Sequence, residues 1–171
     1  MMWDIVPFVG IGDVKFGMSP AEVLRARPDL GPSELTDMGY GGFREVRQDN
    51  KNAVISPIFD YREGKLYLIH VGWDIADVYL NGSNISELDS KKTIQFLERV
   101  NGSALIGPNY DINFLRLGIC IVGIYDAKGY RDKTDREALW DGFIAIFNKE
   151  GFSGHLEGDT HKMKPVTFLN D

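Results

Sequence analysis

Three histidines and one cysteine limit the nucleophilic and metal chemistry open to this chain. The run His155-Leu156-Glu157-Gly158-Asp159-Thr160-His161 places two imidazoles and two carboxylates within seven residues. Zinc or nickel takes such ligands, but the spacing fits no helix face and Gly158 makes the run pliable, so a solvated tail is the alternative. His70 lies in a strand-like run with Asp74 four residues on, and the two-residue strand period puts both on one face. A His–carboxylate pair there could do acid–base work, and a hydrogen-bonded structural histidine is the competing reading. Cys120 sits inside LGICIVGIY, residues 117–125, with no histidine within ten residues on either side. It reads as a small core residue rather than a nucleophile.

The larger motifs of catalysis are missing from the sequence. There is no Gly-x-Ser-x-Gly elbow and no Gly-x-x-x-x-Gly-Lys-Ser/Thr phosphate loop. Gly10-Ile11-Gly12 leads into a strand rather than a helix, the wrong context for a dinucleotide fingerprint. The acids of residues 126–141 lack the Asp-x-Asp-x-Asp-Gly order of a calcium loop. No catalytic residue, metal or cofactor is therefore expected.

The elements around these groups are strongly specified. Val14 and Phe16 alternate as a short strand, Gly17 allows a tight exit, and Ser19-Pro20-Ala21-Glu22 matches a capping box with proline at the first helical position. Pro28 and Pro32 close that segment, and strand-like runs follow at Tyr40–Arg47, Ala53–Ile58 and Phe59–Arg62. The last pairs with Leu66–Trp73 through a Glu63-Gly64 turn in which Gly64 takes positive φ. Leu66–Val71 is apolar on both faces, which predicts a central strand with a helix over at least one side. A short edge strand is expected at Val78–Leu80. A second helix is expected over Ser90–Val100, with Asp89 as N-cap, Asn101-Gly102 as stop and Ile94, Leu97 and Val100 as its buried stripe.

Strands are expected again at Ala104–Ile106, Phe114–Leu117, Ile119–Tyr125 and Phe143–Asn148. A further capping-box match stands at Thr134-Asp135-Arg136-Glu137. These elements predict one α+β domain over residues 1–171, a mostly antiparallel sheet with two main helices packed on it. Residues 1–75 and 76–153 read as two βαβ-like halves sharing one extended sheet, and residues 154–171 as a loosely held tail or last edge strand.

Net charge decides the partner class. At −6 with a pI near 5.1, the chain lacks the basic footprint of a nucleic-acid binder. Most of the excess lies in residues 58–90, where Asp60, Glu63, Asp74, Asp77, Glu87 and Asp89 face only Arg62 and Lys65. Tyr61, Tyr67, Trp73 and Tyr79 are interleaved with them, as in an interface, although rings of this kind also pack cores. No apolar run reaches membrane-span length and MMWDIVPFVG has no leader character, so a cytoplasmic protein without membrane contact is expected.

Ile5-Val6-Pro7 and the following Val9–Val23 resemble the N-terminus of small bacterial proteins that include immunity proteins of polymorphic-toxin and contact-dependent growth-inhibition systems. The Phe16-Gly17-Met18-Ser19-x-x-Glu22-Val23 core also resembles the start of BamE/SmpA-like domains, and the Tyr61–Leu66 hairpin is similar to the strand pair after their helix. The immunity resemblance implies tight, non-catalytic neutralisation of a cognate toxin, which for an acidic inhibitor would be basic. On that reading Asp60, Glu63, Asp74 and Asp77, with Trp73 and Tyr79, contribute to the binding surface. A scaffolding module with another partner is the alternative, followed by a small-molecule enzyme using His70 or the His155–His161 run.

Overall fold

A computed structural model of the chain describes residues 2–31, 33–48, 54–135, 142–159 and 162–171. Three short strands open it, β1 (Trp3–Val6), β2 (Gly10–Ile11) and β3 (Val14–Lys15), folded as an antiparallel meander. Gly10 has a φ of 149°, and a Cβ there would strike the Val14 carbonyl, so only glycine fits where β2 meets β3. Helix α1 (Pro20–Ala26) carries the complete expected cap: Ser19 Oγ accepts from the Glu22 N–H, and the Glu22 carboxylate accepts from the Ser19 N–H at 2.8 Å.

Four strands follow as a second meander, β4 (Ser33–Gly39), β5 (Gly42–Gln48), β6 (Val54–Arg62) and β7 (Lys65–Gly72). β4 has no counterpart among the expected elements. Every residue in it is exposed, so it carries no alternation of burial for a pattern to reveal. The β6–β7 turn holds Glu63 at φ 51° and Gly64 at φ 72°, the two positive values of a type I′ turn.

The second half repeats the plan. β8 (Val78–Leu80) and β9 (Ser83–Asn84) precede α2 (Ser90–Asn101), which Asp89 caps by accepting from the Lys92 N–H at 2.8 Å. Gly102, at φ 83°, ends it. β10 (Ala104–Ile106), β11 (Ile112–Phe114) and β12 (Ile119–Val122) come next, then a small hairpin of β13 (Tyr125–Asp126) and β14 (Gly129–Tyr130). β15 (Phe143–Phe147), α3 (Lys149–Asp159) and β16 (Lys164–Val166) complete the chain. The capping-box match at Thr134–Glu137 includes Arg136 and Glu137, which lie outside the described residues.

The large sheet has the order β16-β10-β11-β12-β15-β7-β6-β5-β4 and is antiparallel throughout. Its centre is the β7–β15 seam, where the meander β4–β7 of one half meets β10, β11, β12 and β15 of the other in mirrored order. The two halves thus share one extended sheet, and β7 is central as its sequence required. β8 corrects an expectation: it lies inside the small sheet β3-β2-β1-β8-β9, in parallel pairing with β1, and is not an edge.

Of the two expectations for the 154–171 stretch, the last edge strand is the one that forms, as β16 at the end of the large sheet, and a helix precedes it. α3 enters the stretch, β16 pairs with β10, and Phe168 is 1% exposed with its N–H donated to Glu98 Oε2 at 2.7 Å. Glycines 151, 154 and 158 dilute the helix signal of α3, which explains why the pattern reading missed it.

Alternation along the central strands makes two cores. Ile69, Val71, Ile119, Ile121, Ile144 and Ile146 face the main core, which the small sheet, α1 and α2 complete. Leu68, Cys120, Ala145 and Phe147 face the opposite side, beneath Phe152 and Leu156 of α3. Within the main-core side, Glu45 and Arg47 are each 1% exposed and form an ion pair at 2.6 Å, with Tyr61 Oη donating to the other Glu45 oxygen. Burial, then the hydrogen bond to Glu45, pushes the Tyr61 phenol far above its ordinary range. Glu45→Ala should strand the Arg47 charge and cost about 3–5 kcal/mol in urea unfolding, whereas replacing Glu45 and Arg47 together by Met and Leu should recover most of that loss. Equal losses in the single and double variants would show that the pair is not a unit.

Candidate functional site

The face under α3 gathers chemistry that the sequence disperses. Asn113 on β11 and Cys120 on β12 are direct cross-strand partners, and Asp111 stands just before β11. His155, one helical turn beyond Phe152, reaches down from α3 and stacks on Phe147 with ring centroids 5.0 Å apart. Asn113 Nδ2 donates to Asp111 Oδ2 at 2.9 Å, and Asn113 Oδ1 accepts from His155 Nε2 at 3.0 Å. Cys120 Sγ lies 3.9 Å from Asp111 Oδ2. Donor atoms of Asp111, Cys120 and His155 all fall within 4.8 Å of one another.

This constellation is not arranged for nucleophilic attack. Cys120 is 2% exposed, and burial followed by the Asp111 carboxylate pushes its thiol well above the ordinary cysteine range. Cys120 is therefore a buried residue, as expected, but it is buried beside a carboxylate and an imidazole. Sequence reasoning set Cys120 and His155 apart because 34 intervening residues separate them. Asp111 and Asn113 carried no recognisable signal at all. His161, the other imidazole of the expected metal run, lies outside the described residues.

The six residues expected to form one acidic surface do not come together. Asp60 is 5% exposed and points onto the α3-side face, where Arg44 grips it bidentately at 2.7 Å and His70 Nε2 donates to it at 2.9 Å. It is a buried acid engaged by Arg44 and His70. His70 pairs with this Asp60 across the β6–β7 ladder rather than with Asp74 along its own strand. It also meets Phe143 edge-on at 4.8 Å.

Trp73, 9% exposed, belongs to the main core, with Nε1 donating to the Val122 carbonyl and the Lys133 ammonium 4.8 Å from its ring centre. Glu63 and Asp74 are both exposed but stand beyond opposite ends of β7, whose eight residues span roughly 25 Å at strand rise. Asp77 and Tyr79 are half-buried near the β1–β8 pairing. Composition could not reveal the split, because strand length alone separates acids that are neighbours in sequence.

A different surface stands out at the far end of the sheet. Among the described residues β4 pairs only with β5, which leaves its other edge open, and Leu35, Met38, Tyr40 and Phe43 of this hairpin are all at least 40% exposed. Tyr40 is fully exposed at the tip, at φ 52° between Gly39 and Gly41. Leu-Thr-Asp-Met-Gly-Tyr-Gly-Gly-Phe was the available signal: apolar residues set among three glycines and Asp37 rather than in a core pattern. Compared with protein-family models, curated proteins and solved structures, the chain has no match in any of the three. Among the described residues, no helix is long and apolar enough to cross a membrane.

Two titrating groups test this geometry. Burial raises the Asp60 carboxyl, but hydrogen bonds from Arg44 and His70 outweigh it and hold the group below its ordinary 3.8. Its contribution to stability is complete above about pH 5 and is lost as acidification passes 3.8 and below. Asp60→Asn should therefore lower stability by about 1–3 kcal/mol at pH 7, a gap that closes below pH 4 in urea titrations. Burial lowers the Lys133 ammonium from 10.5 to about 8. Between those values the unfolded chain binds the extra proton, so this group's contribution rises with pH across that window. Wild type should gain stability relative to Lys133→Met between pH 7.5 and pH 10, and a constant difference would place Lys133 in solvent.

Proposed function

We propose that this chain acts by binding another protein without chemistry of its own, as an immunity protein that neutralises a cognate bacterial toxin in the cytoplasm. The observation that carries the reading is the β4–β5 hairpin, a sheet edge open among the described residues that presents Leu35, Met38, Phe43 and a fully exposed Tyr40 to solvent. Open edges with apolar side chains are templates for pairing with another chain, and folded proteins ordinarily blunt them. Here the tip instead holds an aromatic ring in a left-handed conformation that tyrosine adopts only with strain. Tyrosine brings large contact area at low entropy cost and is enriched in interface hot spots.

The occupant that fits is a basic protein offering a strand to β4. Glu34 and Asp37 lie on that strand, and the chain as a whole carries −6. Main-chain pairing along the edge would supply affinity, and the charge would speed encounter. This reading moves the contact away from Asp60 and Trp73, which are committed to the interior, and leaves Glu63, Asp74, Asp77 and Tyr79 outside its centre.

Co-expression with the product of the adjoining gene should yield a stable stoichiometric complex whose melting temperature exceeds that of either protein alone. Tyr40→Ala and Leu35→Lys should each weaken that complex by at least tenfold in calorimetry while leaving the free chain folded. Unchanged affinity in both variants would remove the hairpin from the interface. Self-association through β4, seen by light scattering without a partner, would favour a scaffolding role instead.

A further inference from the structure

From the Asp111–Cys120–His155 cluster we infer a zinc-class metal site that clips α3 to the outer face of the large sheet. The three side chains come from the β10–β11 loop, β12 and α3, and their donor atoms lie within 4.8 Å of one another. A tetrahedral zinc ion, at ~2.0–2.3 Å from each ligand, sets donors roughly 3–4 Å apart, so the cluster has to close by about 1 Å. That is a side-chain adjustment, not a change of fold.

Asn113 ties two of the three ligands together. It is fully buried, and it uses its amide nitrogen on Asp111 and its amide oxygen on His155 Nε2. Donation from Nε2 places the lone pair of the neutral ring on Nδ1, the atom that would take the metal. Metal-bound histidines are characteristically oriented by such a hydrogen bond from the other ring nitrogen. Gly107 contributes room, since a Cβ there would run into the Asp111 carboxylate.

The donor set selects the metal. One thiolate, one imidazole and one carboxylate suit a borderline ion such as Zn²⁺ and are wrong for the all-oxygen shells of Ca²⁺ and Mg²⁺. Binding would exchange the Cys120 thiol proton for the metal, with the proton released to solvent. The fourth position is left to water. The role is structural, because α3 otherwise rests on the sheet chiefly through Phe152, Leu156 and His155.

The test uses the full chain, stripped with a chelator and titrated with Co²⁺ and then Zn²⁺, and needs no protein partner. One equivalent of Co²⁺ should produce a thiolate-to-cobalt charge-transfer band that Zn²⁺ abolishes, and Zn²⁺ should raise the melting temperature. Cys120→Ser should remove that band, and His155→Gln and Asp111→Asn should each weaken Co²⁺ binding by at least tenfold. His161→Gln should leave binding unchanged. A wild-type titration with no charge-transfer band overturns the site whatever the variants do. So does binding that survives His155→Gln but is lost in His161→Gln. Neither result bears on the toxin-binding reading.

Discussion

The pairing of β7 with β15 is the constraint on which the remaining structure depends. Along it Leu68 meets Phe147, Ile69 meets Ile146, His70 meets Ala145 and Val71 meets Ile144. Each half of the chain supplies a four-stranded meander that ends on this seam, so joining them turns two small sheets into one. Side chains alternate between faces, and a slip of one residue would exchange Ile69 and Val71 for Leu68 and His70 in the main core. The hydrophobic pattern therefore locks the register, and the register places every polar group discussed above.

Those polar groups divide between the two faces. Toward the main core, Glu45 accepts from both Arg47 and Tyr61, and Arg47 also donates to the Gly31 carbonyl while its Nε stays without a partner among the described residues. On the opposite face, Asp60 accepts from Arg44 and His70 under partial solvent access. Both clusters link neighbouring strands, and breaking either would leave a charge where water cannot reach it easily. Part of the acidity that composition assigns to the surface is consumed here. What reaches solvent is spread along the length of β7 and beyond, which shifts attention to the β4 edge, where exposed apolar area and open backbone groups coincide.

Helix α3 joins the two themes. It covers the half of the outer face that the Arg44 cluster does not, and its underside brings His155 to residues on β11 and β12. Among the described residues, a half covered by α3 with converging donors and a half with an open edge are thus consequences of one sheet wider than its helices.

The sequence by itself determined what is local. The Ser19–Glu22 cap, the Asp89–Gly102 bounds of α2 and the Glu63-Gly64 turn depend on a few neighbouring residues whose side chains and φ angles settle the matter. The centrality of β7 was readable too, because a strand buried on both faces is apolar on both. Other features were illegible for definite reasons. β4 is exposed on every side, so selection for burial left no pattern in it. Helix α3 is rich in glycine and is held by tertiary packing rather than propensity. Tertiary structure alone decided that Asp60 is buried against Arg44, and that Cys120 lies beside Asp111 and His155. Contacts between strands distant in sequence are set by sheet order and register, and these are fixed only when the whole core closes.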